Sequence, residues 1–304
     1  MHDVIIIGAG PAGLTAAIYA GRARLKTKIF EKLLPGGQVL MTESVENFPG
    51  FPGAVESKRL IDNLVRQVKE LDLEIDEAEI KEIKKNSSFV LETSEKEEFE
   101  SRSVIIATGA QYKRLDIPQE QELTGRGVSY CAICDAPLFK NKDVAIIGGG
   151  NAAVEEALTV ERFANRVILI HRRDELRAVK VLQEKLLSKK KIQVIWDTIP
   201  LEFQGKDRLE AVKIKNLKSN KEDVLSVQGA FVAIGFKPNT DFLKGLIKLD
   251  DDGYIITNDE MMTSLDGIFA GGDCRKRSLR QVITACSEGA ICAQSAYKFL
   301  EAKI

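Results

Sequence analysis

Histidine occurs twice in these 304 residues, tryptophan once and cysteine five times. Two histidines, His2 and His171, leave little room for a His-rich metal centre, and no metal is expected. An odd cysteine count in a chain this long does not describe a secreted disulfide framework. Charge of one sign is lacking too: 44 Lys and Arg stand against 45 Asp and Glu, a net charge of −1. Without a basic excess there is no long-range attraction for nucleic acid or anionic membrane, and neither is an expected partner. Long uncharged runs are equally scarce. The run from Val4 to Gly21 could be mistaken for a signal peptide or a span. No Lys or Arg precedes it in Met1-His2-Asp3, however, and Gly8, Gly10, Pro11 and Gly13 break it. The expectation is a cytoplasmic protein. With 44% apolar residues the chain is not disordered, and its length predicts two domains of the usual ~100–200 residues.

What is present is one plan written twice. Val4–Gly13 (VIIIGAGPAG) opens the chain, and Val144–Ala153 (VAIIGGGNAA) restarts it. Each has a short run rich in β-branched residues, a glycine turn, and a helix-like stretch. A second strand follows in both, Thr27–Phe30 and Val167–Ile170, and the residue just past it lies 23 positions after the first glycine: Glu31 and His171. Hairpin-like sequence comes next, around Phe89–Thr93 and Ala211–Ile214. Each copy then ends in an apolar strand closing on glycine, Val104–Gly109 and Phe231–Gly235. In the first copy Leu60, Ile61, Leu64, Val65, Val68 and Leu71 form the apolar stripe of one amphipathic helix. After the second copy come a strand at Gly267–Ala270 and a closing helix from about Leu279. The pattern predicts an α/β chain of two Rossmann-like three-layer nucleotide-binding domains, the second inserted into the first. The expected division is 1–114 with 243–304 for the first domain and 115–242 for the second. Pro118 and Pro238 mark the connections.

In a G-x-G-x-x-G turn the glycines permit a tight bend, close approach of a diphosphate, and close helix–strand packing. The diphosphate sits on the helix N-terminus, where unpaired N–H groups and the helix dipole favour negative charge. A single such turn is also an ordinary structural device; two with matched strand ends are not. Glu31 is an acceptor suited to ribose hydroxyls. His171-Arg172-Arg173, with Arg177 one turn on, offers guanidiniums that can take a 2′-phosphate bidentately, so the second site is expected to prefer NADPH to NADH.

Cys131-Ala132-Ile133-Cys134-Asp135 lies 14 residues upstream of Gly148, measured from Cys134. C-x-x-C serves zinc or redox chemistry. Zinc wants four ligands, and the sequence has no second C-x-x-C and no paired histidines. Inert core cysteines are the other alternative, and a carboxylate beside them at Asp135 is costly unless solvated or used. As chemistry, the pair closes a small disulfide that passes on two electrons, with Asp135 placed to move the proton. Cys274, Cys286 and Cys292 read as small buried hydrophobes.

Over its whole length the chain resembles the bacterial low-molecular-weight thioredoxin reductases. The likeness rests on GAGPAG at Gly8–Gly13, GGQ at Gly36–Gln38, ENFPG at Glu46–Gly50 and ATGA at Ala107–Ala110. It continues with CAICD at Cys131–Asp135, GGGNAAVEEA at Gly148–Ala157, HRRDELRA at His171–Ala178, AGGD at Ala270–Asp273 and RQVITA at Arg280–Ala285. The resemblance implies FAD held by Gly8, Gly10, Pro11, Ala12, Gly13, Glu31, Lys32, Gly37, Gln38, Asn47, Thr108, Gly109, Asp273, Arg280, Gln281, Val282 and Ala285. It implies NADPH held by Gly149, Gly150, Asn151, Ala152, Ala153, His171, Arg172, Arg173, Arg177, Ile234 and Gly235. By the same likeness Cys134 faces the flavin, Cys131 attacks the disulfide of a thioredoxin- or glutaredoxin-like partner, and Asp135 is the acid/base. A cytoplasmic homodimer is also implied, with the second domain rotating between half-reactions. Three positions depart from the family: Ala152 for the common Thr, Ile133 for Thr or Val, and Ala136-Pro137 for Gly and an aromatic. Two rivals differ in kind. One is a ferredoxin-linked reductase of similar architecture; the other is a non-catalytic flavin and thiol redox sensor. Arg126 could dock an acidic partner or be an ordinary surface arginine.

Overall fold

The computed structural model describes residues 1–41 and 44–302. The chain divides into two compact units, Met1–Gln111 with Lys237–Ile304, and Tyr112–Phe236. The described helices are α1 (Pro11–Arg22), α2 (Ser57–Lys69), α3 (Ala132–Asp135), α4 (Asn151–Val160), α5 (Lys180–Leu187) and α6 (Val282–Glu301).

In the first unit the strand His2–Ile7 runs parallel to Thr27–Glu31 on one side and to Glu98–Ile106 on the other. The nine-residue strand Glu98–Ile106 has two further neighbours. Its first half pairs antiparallel with Phe89–Thr93, and its second half pairs parallel with Ile268–Ala270. The return of the chain after the second unit therefore completes the first unit's sheet. Alternate side chains go to opposite faces, as strand geometry requires. Val4, Ile6, Ile29, Ile105 and Phe269 pack against α1 and α6, while Ile5, Ile7, Phe30, Val104 and Ile106 meet Ile83, Phe89, Leu91 and Leu243. Both faces are covered, which is why these strands read as continuous apolar runs rather than alternating ones. Helices α1 and α6 touch backbone to backbone: a Cβ on Gly289 would lie 2.1 Å from the carbonyl oxygen of Ala12. Helix α2 buries Leu60, Ile61 and Val68, with Leu64 and Val65 partly covered, as the apolar stripe requires.

The second unit repeats the plan. Five parallel strands stand in the order Val128–Ser129, Gly229–Ala233, Asp143–Gly148, Arg166–Ile170 and Ile192–Ile195. Val144, Ile146, Val167, Leu169 and Phe231 face α3, α4 and α5. Ala145, Ile147, Ile168, Ile170 and Val232 face an antiparallel layer (Thr198–Gln204, Ala211–Asn216, Glu222–Ser226) through Phe203, Val212 and Ile214. Helix, sheet and antiparallel layer make three layers, the architecture expected from the repeat. The strands Ala110–Tyr112 and Phe236–Pro238, where the chain passes from one unit to the other and back, pair with each other. Pro238 closes the second of them, and the Pro118 carbonyl accepts Phe203 N–H at 3.2 Å.

Candidate active site

Gly8 follows the first strand at φ +102°, and a Cβ there would lie 2.4 Å from the Ala107 carbonyl oxygen. On Gly13 it would lie 1.8 Å from the oxygen of Gly8, so strand and helix close only over glycine. Gly10 is different. It precedes α1 in an extended conformation, and a Cβ there would meet no protein atom within 4 Å. No side chain caps α1, and its first turn carries no acidic residue. Unclaimed helix N–H groups beside an open glycine are the fit a diphosphate needs.

Glu31 is engaged from both sides of its carboxylate: Oε2 accepts Ala9 N–H at 2.7 Å and Oε1 accepts Leu33 N–H at 3.2 Å. Each oxygen keeps a lone pair for a ribose hydroxyl. Lys32 beside it is exposed. The Gly36 N–H donates to the Ala9 carbonyl, which draws the Gly37–Gln38 turn to the first glycine loop. Asn47 donates to Gln281 Oε1 at 2.9 Å, and Gln281 caps α6 together with Thr284. Thr108 Oγ1 donates to the Asn239 carbonyl, and Asn239 Nδ2 donates back to the Thr108 carbonyl, both at 2.8 Å. Asn239 N–H reaches the Gly109 carbonyl at 3.0 Å.

Asp273 has a buried Oδ1 without a hydrogen bond, and burial raises its carboxyl above the usual range against the pull of Arg277 and Arg280. The Arg280 guanidinium lies 4.5 Å from the centre of the Tyr254 ring. Gly272 N–H, Arg275 and Arg277 all converge on Glu288 of α6. Ala12, Ala107 and Ala285 form one small buried cluster, and Val282 packs against another, made of Val45, Val55 and Leu60. Asn239, Tyr254 and Glu288 were not found from the sequence. The polar pair Asn239-Thr240 straight after Pro238 was the one available signal; Tyr254 and Glu288 have none.

The second glycine turn differs in detail. A Cβ on Gly148 would lie 2.4 Å from the Ala233 oxygen and 2.7 Å from the Ala153 Cβ, so Ala153 takes the place of the third glycine. Gly150, like Gly10, is extended, precedes an uncapped helix and is open on its Cβ side. Gly149 lies against the His171 ring, and the Arg177 N–H donates to the Gly149 carbonyl at 2.7 Å. The basic segment is thereby tied to the turn by its backbone, leaving the Arg172, Arg173 and Arg177 side chains exposed. His171 is 3% exposed, and burial holds its imidazole below the ordinary value. The structure thus places it beneath the turn, while Ala152 is exposed and Asn151 Oδ1 accepts Val179 N–H. Ile234 is partly buried, and the Gly235 carbonyl accepts Lys113 N–H at 2.9 Å.

Cys131 and Cys134 form a disulfide with Cα atoms 5.3 Å apart. Cys131 is the N-cap of α3, and its sulfur accepts the Cys134 N–H at 3.3 Å. Both are half-buried, whereas Ile133 between them is 57% exposed. Asp135 Oδ2 accepts the Ser129 hydroxyl at 2.6 Å, and Ser129 Oγ accepts Cys131 N–H at 3.1 Å. Cys274 and Cys292 are buried and Cys286 half-buried; burial pushes the Cys274 thiol up to about 11, which makes it unreactive at neutral pH. Among the described residues no group of three or more His, Cys, Asp or Glu could hold a metal ion.

Residues 2–289 match the pyridine nucleotide-disulphide oxidoreductases. The chain belongs to that family. A curated relative called thioredoxin reductase, from Peptoclostridium acidaminophilum, is 44% identical over 310 residues, covering 99% of this chain and 98% of its own. The thioredoxin reductase of Listeria monocytogenes is 41% identical, covering 99% and 94%. The crystal structure of thioredoxin reductase from Streptococcus pyogenes superposes with a TM-score of 0.95 at 40% identity, covering 99% of each chain. Membership makes the chain a flavoprotein that uses a pyridine nucleotide, and the two glycine cradles are suited to those groups. No described helix is long and apolar enough to cross a membrane.

Proposed function

We propose that this oxidoreductase carries electrons from NADPH through FAD and the Cys131–Cys134 pair to the disulfide of a thioredoxin-like protein. The observation that carries the reading is the dithiol itself. The disulfide sits half-exposed at a helix N-cap, beside an acid already hydrogen-bonded, on the same unit as the arginine-bearing glycine turn. When bound, FAD and NADPH supply the hydride and electron-carrying chemistry.

The diphosphate of FAD would rest on the N–H groups of α1 with Gly10 making room, its ribose on Glu31. Gly37, Gln38, Asn47, Thr108, Gly109 and the segment from Asp273 to Val282, with Ala285, would surround the remainder. The diphosphate of NADPH would rest on the start of α4 past Gly149–Ala153, and its 2′-phosphate would take Arg172, Arg173 and Arg177. Ile234-Gly235 would border the nicotinamide end.

In the disulfide step the reduced Cys131 thiolate attacks one sulfur of the partner's disulfide. That bond breaks, and a mixed disulfide forms while the partner's other sulfur leaves and takes a proton. The Cys134 N–H already points at the Cys131 sulfur and is placed to donate to it while it attacks. Cys134 then loses its proton to Asp135 and attacks the Cys131 sulfur. The 131–134 disulfide is restored, and the partner's second sulfur leaves, takes the proton from Asp135, and departs as part of a dithiol. Both the nicotinamide and the dithiol belong to the second unit and both must meet the flavin, while the dithiol must also meet a foreign protein. Rotation of the second unit about its two connecting strands lets one unit serve all three contacts. The working form is a cytoplasmic homodimer.

Anaerobic titration with NADPH tests the reading. Flavin colour should be fully bleached by two equivalents, one for FAD and one for the Cys131–Cys134 disulfide, and return when a disulfide-form thioredoxin is added. With Cys134→Ser, bleaching should persist and disulfide reduction should stop; bleaching that no disulfide reverses in the unaltered protein would overturn the proposal.

A further inference from the structure

Ser129 joins the two halves of the redox centre. It ends the short strand Val128–Ser129 and is 5% exposed. A serine hydroxyl has one proton and two lone pairs. Here the proton goes to Asp135 Oδ2 and a lone pair takes the Cys131 N–H. The next residue fixes the strand end: Tyr130 donates its hydroxyl to Glu120 at 2.8 Å. Glu120, 2% exposed, also accepts the N–H groups of Leu115 and Asp116. The Ser129 hydroxyl is therefore held in one place, and Asp135 is held by it. Packing alone would be served as well by alanine.

Resting on the disulfide-reductase reading, we propose that Ser129 is a positioning residue. It aims Asp135 at the dithiol and keeps the carboxylate ready to receive the Cys134 proton. When that proton passes to Asp135, the electron pair left on the Cys134 sulfur forms the bond to Cys131. The bond from Cys131 to the partner's sulfur breaks, and its pair leaves on the partner. A hydroxyl donated to a carboxylate favours its charged form, so Ser129 sets the pH at which Asp135 becomes a base. Other groups titrate nearby. Of the elements packed on α3, the turn Ala136–Phe139 carries no titratable residue, and α4 carries Glu155 and Glu156. Glu156 is raised to about 8 by burial and by Glu155, and Glu156→Gln removes its limb from the profile.

The test is the pH profile of thioredoxin-disulfide reduction by the FAD-loaded enzyme and by Ser129→Ala. Expected are unchanged bleaching of the flavin by NADPH, a roughly tenfold lower kcat for disulfide reduction at pH 7, and an acidic limb moved up by about one unit. In an Asp135→Asn background the same substitution should change nothing further. Ser129→Gly is read in the same way if the alanine variant does not fold. An unmoved limb, or equal losses with and without Asp135, overturns the proposal. A second measurement stands apart from the reductase reading: the pH dependence of alkylation of the dithiothreitol-reduced pair by iodoacetamide. There too Ser129→Ala must move the limb. Failure of thioredoxin reduction in the unaltered enzyme with that shift intact would indict the function and not the serine.

Discussion

A Cβ on Gly149 would lie 2.1 Å from Cε1 of His171. The equivalent pair in the first unit is Ala9 and Glu31, where the side chain one residue past the strand takes the Ala9 N–H at 2.7 Å instead of filling space. The same position in two copies of one plan is thus used in two ways. A carboxylate in the first braces the loop by accepting its N–H; in the second an imidazole fills the space against which the loop folds.

Gly149→Ala should therefore displace His171 and the segment behind it. Because Arg177 is tied to the Gly149 carbonyl, the loss should reach the phosphate site. The expected outcome is about 1–3 kcal/mol of lost stability, typical of overpacking, and a raised KM for NADPH at undiminished FAD content. Stopped-flow reduction of the flavin measures the second effect; a variant with wild-type KM would show that the ring has room to move.

Arg172 and Arg173 present exposed side chains beyond this turn. Replacing both with alanine should cut the preference for NADPH over NADH by roughly tenfold to a hundredfold, since each charge-assisted hydrogen bond contributes ~1.5–3 kcal/mol. The ratio of kcat/KM for the two nucleotides is the measurement. An unchanged ratio would move the 2′-phosphate to other residues.

Glu31 braces two N–H groups at once, so Glu31→Gln turns one acceptor into a donor facing a donor. The predicted cost is ~1–3 kcal/mol for the group left unsatisfied, seen as weaker FAD retention on dilution. Arg22→Ala, at the exposed far end of α1, should leave the flavin-to-protein absorbance ratio unchanged. Equal flavin loss in both variants would argue against the bracing role.

Periodicity and short-range spacing carried much of the fold. The stripe Leu60–Val68 and the apolar strands of both units are local patterns, and the repeat made their assembly into two three-layer units legible. The closing helix begins at Val282 and not near Leu279, because Gln281 is extended and forms a capping box with Thr284, a side-chain arrangement that composition does not display. Site residues that act through distant partners were hidden for the same reason. Ser129 meets Asp135 six residues on, whereas Asn239 meets Thr108 across 131 positions and Glu288 gathers two arginines onto α6. His171 was legible as the end of a strand, but its burial under Gly149 depends on how the turn folds over it.

Glu156 supplies a pH dependence with a definite sign. Its Oε2 is buried without a hydrogen bond, and burial, with Glu155 beside it, raises the carboxyl from the ordinary 4.5 to about 8. Below pH 4.5 the group is protonated whether the chain is folded or not, and folding carries no penalty. Between 4.5 and 8 the unfolded chain releases a proton that the folded one keeps, so stability falls as pH rises, by at most about 1.4 kcal/mol per unit. Above about 8 the loss is complete. Glu156→Gln has no proton to release, and its advantage over the parent should grow steadily from pH 5 to pH 8 and vanish near pH 4. Urea midpoints of the two proteins across that range decide the matter. Parallel curves would mean that the carboxylate finds a counter-charge or water in the folded chain and is not held neutral by burial.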